Sequence, residues 1–229
     1  MSKFNLLDEK WIKVVDKKSN QVVEVSLKEV FEHAHELKML AGEMKTQDFA
    51  MLRLLLAVLH TVFSRFNANG EVYEFLEVDE RYRQKEDVSE DDLEEYRDEL
   101  MDTWKTLWKS GEFPKIVVEY LEKWRDRFYL FDEKYPFYQV TKKEMYRHNF
   151  LANGKSTETP GEIYARYINM LITESKNKLV LFSPKIESNK DTLSKEEIAR
   201  FLIMLQGYVG GEVDKVTIAG RDYIKSKGW

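Results

Sequence analysis

The chain has 229 residues, 43% of them hydrophobic, enough apolar material for a core without disulfides or a structural metal. Its 36 basic and 41 acidic residues give a net charge of −5, which argues against a protein that coats nucleic acid by charge alone. No cysteine occurs, so disulfides, thiolate metal sites and cysteine nucleophiles are excluded; a reducing compartment fits, and the cytoplasm is the expected location. The N-terminus lacks the charged lead and apolar stretch of a signal peptide. The most apolar run, 49–66, carries Arg53, His60 and Arg65 and falls short of a span of about 20 apolar residues, so no membrane partner is expected.

Two alternating runs, Trp11 to Val15 and Gln21 to Val25, flank Asp16-Lys17-Lys18-Ser19-Asn20 and predict a hairpin. Ser26 and Glu29 form a capping box for a helix to about Leu37. Thr46-Gln47-Asp48 opens a long helix ending near Asn67-Ala68-Asn69-Gly70, so apolar on every side that a central position is expected. Residues 86–100 hold nine acids against Arg97 alone, leaving the remainder slightly basic. Ser89 and Asp92 start a helix there, with Leu93, Tyr96, Leu100 and Trp104 at helical spacing and Gly111 as its stop. Pro114 introduces the next helix, whose buried side is Ile116, Val117, Tyr120, Leu121 and Trp124. Strands are expected at 127–131 and 137–141. Thr159-Pro160-Gly161-Glu162 starts a helix to about Glu174, Lys178 to Phe182 reads as a strand, and Ser183 to Leu193 as a polar loop. Ser194-Lys195-Glu196-Glu197 caps a helix through Gln206, with Gly207 as its C-terminal cap. The fold class is α+β, mostly helical with short antiparallel strands, in a single unit.

Catalytic chemistry finds little support. His33 and His35 face different sides of a helix, and His60 reads as a core histidine; with His148 they form no metal-binding spacing, and no metal or cofactor is expected. Phosphate loops, nucleophile elbows and His-Glu-x-x-His pairs do not occur. The acids of 86–99 could hold a divalent cation, but their helical periodicity favours a solvated face. Phe128, Tyr129, Phe131, Tyr135, Phe137 and Tyr138 could stack on bases, although strand-like spacing favours core packing. Two loops have a better claim. Gly207, Gly210 and Gly211 give a backbone that could approach a nucleic-acid groove closely, or merely a cap and turn. The corner Phe182-Ser183-Pro184-Lys185, with Lys190, offers an aromatic and two cations to phosphates, or an ordinary surface loop.

The opening run, Phe4-Asn5-Leu6-Leu7-Asp8-Glu9-Lys10-Trp11-Ile12-Lys13-Val14-Val15, closely resembles the start of one family. Leu130-Phe131-Asp132 leading into Tyr135-Pro136-Phe137-Tyr138-Gln139, then Val180-Leu181-Phe182-Ser183-Pro184, then Leu205-Gln206-Gly207-Tyr208-Val209-Gly210-Gly211 follow in that family's order. The family is the CasA large subunit of the type I-E CRISPR Cascade complex.

The resemblance implies a non-catalytic, antiviral, nucleic-acid-binding subunit that sits at the crRNA 5′ handle and inspects double-stranded DNA for the protospacer-adjacent motif. Gly207, Gly210 and Gly211 look like the family's DNA-reading glycine loop. Phe182, Ser183 and Pro184, with Lys185 and Lys190, look like its loop for the crRNA handle and neighbouring subunits, here without a glycine cluster. The implied partners are other Cascade subunits, crRNA, target duplex and the recruited helicase-nuclease. Residues 1–229 resemble part of the family's N-terminal domain, so its lysine finger, glutamine wedge and C-terminal four-helix bundle are expected to lie beyond Trp229. Two rival readings are a helical protein–protein adaptor docking through the acidic helix, and a carboxylate-metal enzyme.

Overall fold

The hairpin forms as its alternation predicts. In the computed structural model, which describes residues 4–139, 141, 193–208, 213–218 and 221–226, strand β1 (Ile12–Asp16) pairs antiparallel with β2 (Val22–Val25), Ile12 opposite Val25. Helix α1 (Leu27–Glu32) carries the complete capping box: the Glu29 amide donates to the Ser26 hydroxyl at 3.2 Å, and the Ser26 amide to the Glu29 carboxylate at 2.7 Å.

This helix stops five residues earlier than its sequence suggests. After a 3-10 turn at Ala34–Glu36, Leu37–Leu40 becomes strand β3 on the other side of β1, with Val14 opposite Leu40 and a bulge between Val15 and Asp16. The sheet order is β2-β1-β3, and β1 gains a second ladder of hydrogen bonds that a longer helix would forfeit.

Helix α2 (Lys45–Phe63) follows β3 and buries Ala50, Met51, Leu55, Val58, Leu59, Val62 and Phe63. It ends before the Asn67–Gly70 turn, and it is not apolar for want of solvent on every side. Phe49, Leu52 and Leu56 are exposed at 52%, 45% and 41% and open onto an apolar groove of about 510 Å³ against Met39 and Phe113. By length and composition α2 could cross a bilayer, but its buried face is occupied by the core.

Helix α3 (Leu93–Ser110) begins where Ser89 and Asp92 bond to each other and ends at Gly111, whose φ of 71° permits the left-handed cap. The acids preceding it and along it are mostly solvent-exposed, as their periodicity implies. Helix α4 (Ile116–Lys123) buries Ile116, Val117 and Leu121.

The strands expected at 127–131 and 137–141 are absent among the described residues. Tyr129 makes a single bridge to Asn5; the Leu6 amide donates to the Phe128 carbonyl at 2.9 Å and the Leu130 amide to that of Phe4 at 3.0 Å. One Asp132 carboxylate oxygen then accepts the amides of Lys134 and Tyr135, each at 2.9 Å, and turns the chain before a ladder can grow. Gln139 closes the turn, its side chain donating to the Leu130 carbonyl at 2.7 Å. The aromatics here divide: Phe137 is buried against Phe128, whereas Phe131 and Tyr138 are exposed.

Helix α5 (Lys195–Tyr208) packs along α2, and β4 (Val213–Ile218) pairs antiparallel with β5 (Arg221–Ser226), Val213 opposite Ser226. Sequence reading missed this hairpin because Lys215-Val216 breaks the apolar–polar alternation.

Candidate nucleic-acid interface

The candidate interface begins where α5 ends, and three separate ties fix that helix. At its start the Glu197 amide donates to the Ser194 hydroxyl at 3.2 Å, and the Ser194 amide to the Glu197 carboxylate at 2.8 Å. Midway, Arg200 is only 3% exposed. Its guanidinium donates to both Glu43 oxygens, the shortest contact being 2.7 Å, to the Trp11 carbonyl at 2.7 Å and to Glu24 at 3.1 Å. Lys13 completes the cluster at 2.8 Å from Glu43. Burial pushes the Glu43 carboxyl up, but hydrogen bonds from Arg200 and Lys13 outweigh it and hold the group at about 2.

The third tie is at Gly207. This residue is not a cap: the helix runs one residue past it, its φ is outside the left-handed region, and a Cβ there would fall 2.8 Å from the Ala50 Cβ. The glycine therefore lets α5 lie against α2 at closest approach. Its carbonyl accepts a 2.7 Å hydrogen bond from the exposed Arg53. Gly207 is thus held by packing and by a cation.

Gly210, Gly211, Phe182, Ser183, Pro184, Lys185 and Lys190 lie outside the described residues, as do the predicted helix 159–174 and strand 178–182. Gly207 is the candidate residue the structure places. Arg200 was missed by sequence reasoning, although an arginine between Ala199 and Phe201 in an apolar helix was signal enough to ask what pairs with it. His60 is exposed rather than in the core, its ring 5.2 Å from Trp104. Among the described residues no three His, Asp or Glu side chains converge as a metal site.

The opening run that carries the family resemblance is architecture. Trp11 is fully buried, and its indole donates to the Leu6 carbonyl at 2.8 Å. The Asn5 side chain accepts the Leu7 amide at 2.9 Å and donates to the Arg125 carbonyl at 3.2 Å. These residues lock the N-terminus against the end of α4 and supply the carbonyl that Arg200 needs.

The family model for CRISPR-associated protein Cse1 matches residues 5–229. The chain belongs to that family. A CasA/Cse1 protein of Thermus thermophilus is 30% identical over 214 residues, 92% of this chain and 32% of that protein. The crystal structure of Thermobifida fusca Cse1 superposes with a TM-score of 0.60 at 26% identity, covering 92% of this chain and 31% of that one. A chain of a CRISPR RNA-guided surveillance complex is alike in fold, with a TM-score of 0.58 at 14% identity over 96% of this chain and 37% of that one. This Cse1-family chain spans about a third of the length of the relatives it matches.

Proposed function

We propose that the chain is a non-catalytic subunit of a CRISPR RNA-guided Cascade surveillance complex, acting in the cytoplasm in antiviral defence. It contributes to docking on the crRNA 5′ handle and to recognition of the protospacer-adjacent motif in target duplex DNA. The observation that carries this reading is the Cse1 family match over residues 5–229.

In this reading Gly210 and Gly211, which follow α5 in sequence, let backbone amides approach a minor groove. Gly207 holds the end of α5 through its close approach to Ala50. Phe182, Ser183, Pro184, Lys185 and Lys190 form the loop for the crRNA handle and adjacent subunits. With a net charge of −5 the chain alone binds duplex weakly, and motif reading depends on the assembly. Other subunits, crRNA, target duplex and the recruited helicase-nuclease are its partners.

Gly210→Val with Gly211→Val tests the assignment. The double variant should still join a crRNA-loaded complex but lose motif-dependent binding of target duplex. If duplex binding persists at full strength, the glycines are only a turn, and the protein-adaptor reading takes precedence.

A further inference from the structure

Two arginines rest on aromatic rings at either side of one carboxylate, and neither guanidinium donates a hydrogen bond to an acceptor among the described residues. Arg81 lies 5.1 Å from the centre of the Trp124 ring and Arg127 only 3.4 Å from that of Tyr135. Asp126 Oδ2 sits between them, 3.4 Å from the Arg81 Nη2 and 3.6 Å from the Arg127 Nε, longer than ordinary hydrogen bonds. The side chains of Arg81, Asp126 and Arg127 are 42%, 41% and 42% exposed, so solvent reaches all three.

The backbone fixes both arginines. The Arg81 amide donates to the Asp79 carboxylate at 2.8 Å, and its carbonyl accepts the Trp124 indole at 3.0 Å. Tyr82 beside it has a φ of 62°, a left-handed backbone rare for a bulky residue, and is held there by edge-on packing against Phe66 at 5.0 Å. The Arg127 amide donates to the Trp124 carbonyl at 2.8 Å, within the 3-10 turn Arg125–Arg127 that follows α4. A guanidinium already pinned on a ring loses little freedom on binding, and its planar fork matches phosphate oxygens. Lys123 over Tyr82, at 5.2 Å, and Lys134 over Tyr135, at 4.9 Å, stand next to the pair. The exposed Glu80 and Glu133 keep the wider field near neutral, so selection rests on the unused N–H donors and not on net charge. Because the rings carry cations, they support a clamp and leave base stacking aside; such a contact reads backbone, not sequence.

We propose that Arg81 and Arg127 clamp a backbone phosphate of a nucleic-acid strand, each guanidinium donating to one of its free oxygens, as a contact additional to the glycine run and the 182–190 loop. This rests on the reading of the chain as a surveillance-complex subunit, which supplies two phosphodiester strands, guide RNA and target duplex.

The test adds the full chain to a crRNA-loaded core lacking its large subunit and follows two constants across a salt series: association with the core, and binding of target duplex by the assembly. Arg81→Gln with Arg127→Gln should weaken one of them about tenfold and make its log–log salt slope shallower by about 1–2. Lys105→Gln with Lys109→Gln, the same charge change on α3, should leave both within about twofold. A shift in association assigns the guide RNA; a shift confined to duplex binding assigns the target. Asp126→Asn removes the competing carboxylate and should tighten the same constant, a gain that misfolding cannot imitate. Neutral methylphosphonate linkages in the responding strand should abolish the difference between wild type and the arginine variant. If the chain co-elutes but the arginine variant matches the α3 control, or Asp126→Asn weakens binding, the clamp is wrong and the subunit reading stands. A difference that survives the neutral linkages marks a protein carboxylate as the ligand and also overturns the proposal. Failure of the wild-type chain to co-elute removes both.

Discussion

Glu43→Gln is the sharpest probe of how α5 is held. The substitution keeps size and removes the charge that Arg200 and Lys13 share at 2.7 and 2.8 Å. Glu24, whose side chain is 39% exposed, is left as the remaining acid beside a guanidinium that is 3% exposed. A carboxyl held at about 2 against an ordinary 4.5 corresponds to about 3 kcal/mol at neutral pH. Unpairing one member of a buried ion pair gives a similar figure, about 3–5 kcal/mol. For a domain of this size that lowers the melting temperature by about 6–12 °C. Because the folded pKa lies below the unfolded one, the stabilisation is complete above pH 4.5 and is lost as pH falls towards 2. Urea titrations of wild type and variant should show a gap that is full at pH 7 and closes on acidification. A gap below about 1 kcal/mol, or one that does not change between pH 7 and pH 3, refutes the reasoning.

Gly207→Ala should cost about 1–3 kcal/mol through the clash with Ala50, and Ala50→Gly in the same chain should recover part of it in thermal melts. Trp11→Phe removes the donor to the buried Leu6 carbonyl and should destabilise by about 1–3 kcal/mol in the same assay. Ser26→Ala deletes the hydroxyl half of the α1 capping box and should cost about 1 kcal/mol. Asp8 behaves differently: hydrogen bonding to Arg125 holds its carboxyl at about 2, yet the side chain is 44% exposed. Asp8→Asn should therefore cost less than about 1 kcal/mol, and less still in 1 M salt.

Local rules made much of the fold legible. The Ser26–Glu29 box, the first hairpin and the Gly111 stop depend on neighbours in sequence, and all three form as expected. What escaped was decided at long range. Leu37–Leu40 leaves the helix because β1 has an open edge; residues 127–139 fail to form strands because Asp132 captures the amides that a ladder would need. The exposed side of α2 was illegible for a related reason, since apolar content cannot say which faces find a partner. At the candidate interface the glycine run was readable as chemistry. The reason Gly207 is glycine was not, because it lies in Ala50, 157 residues earlier. Arg200 likewise means little until Trp11, Glu24 and Glu43 are brought around it.

The central claim is that these 229 residues serve a surveillance complex. The most direct measurement mixes the chain with a crRNA-loaded Cascade core lacking its large subunit, then follows co-elution and binding of target duplexes with and without a permitted motif. The account predicts co-elution, with duplex binding that depends on the motif and gains over the core alone. A chain that never associates with the loaded core would contradict it.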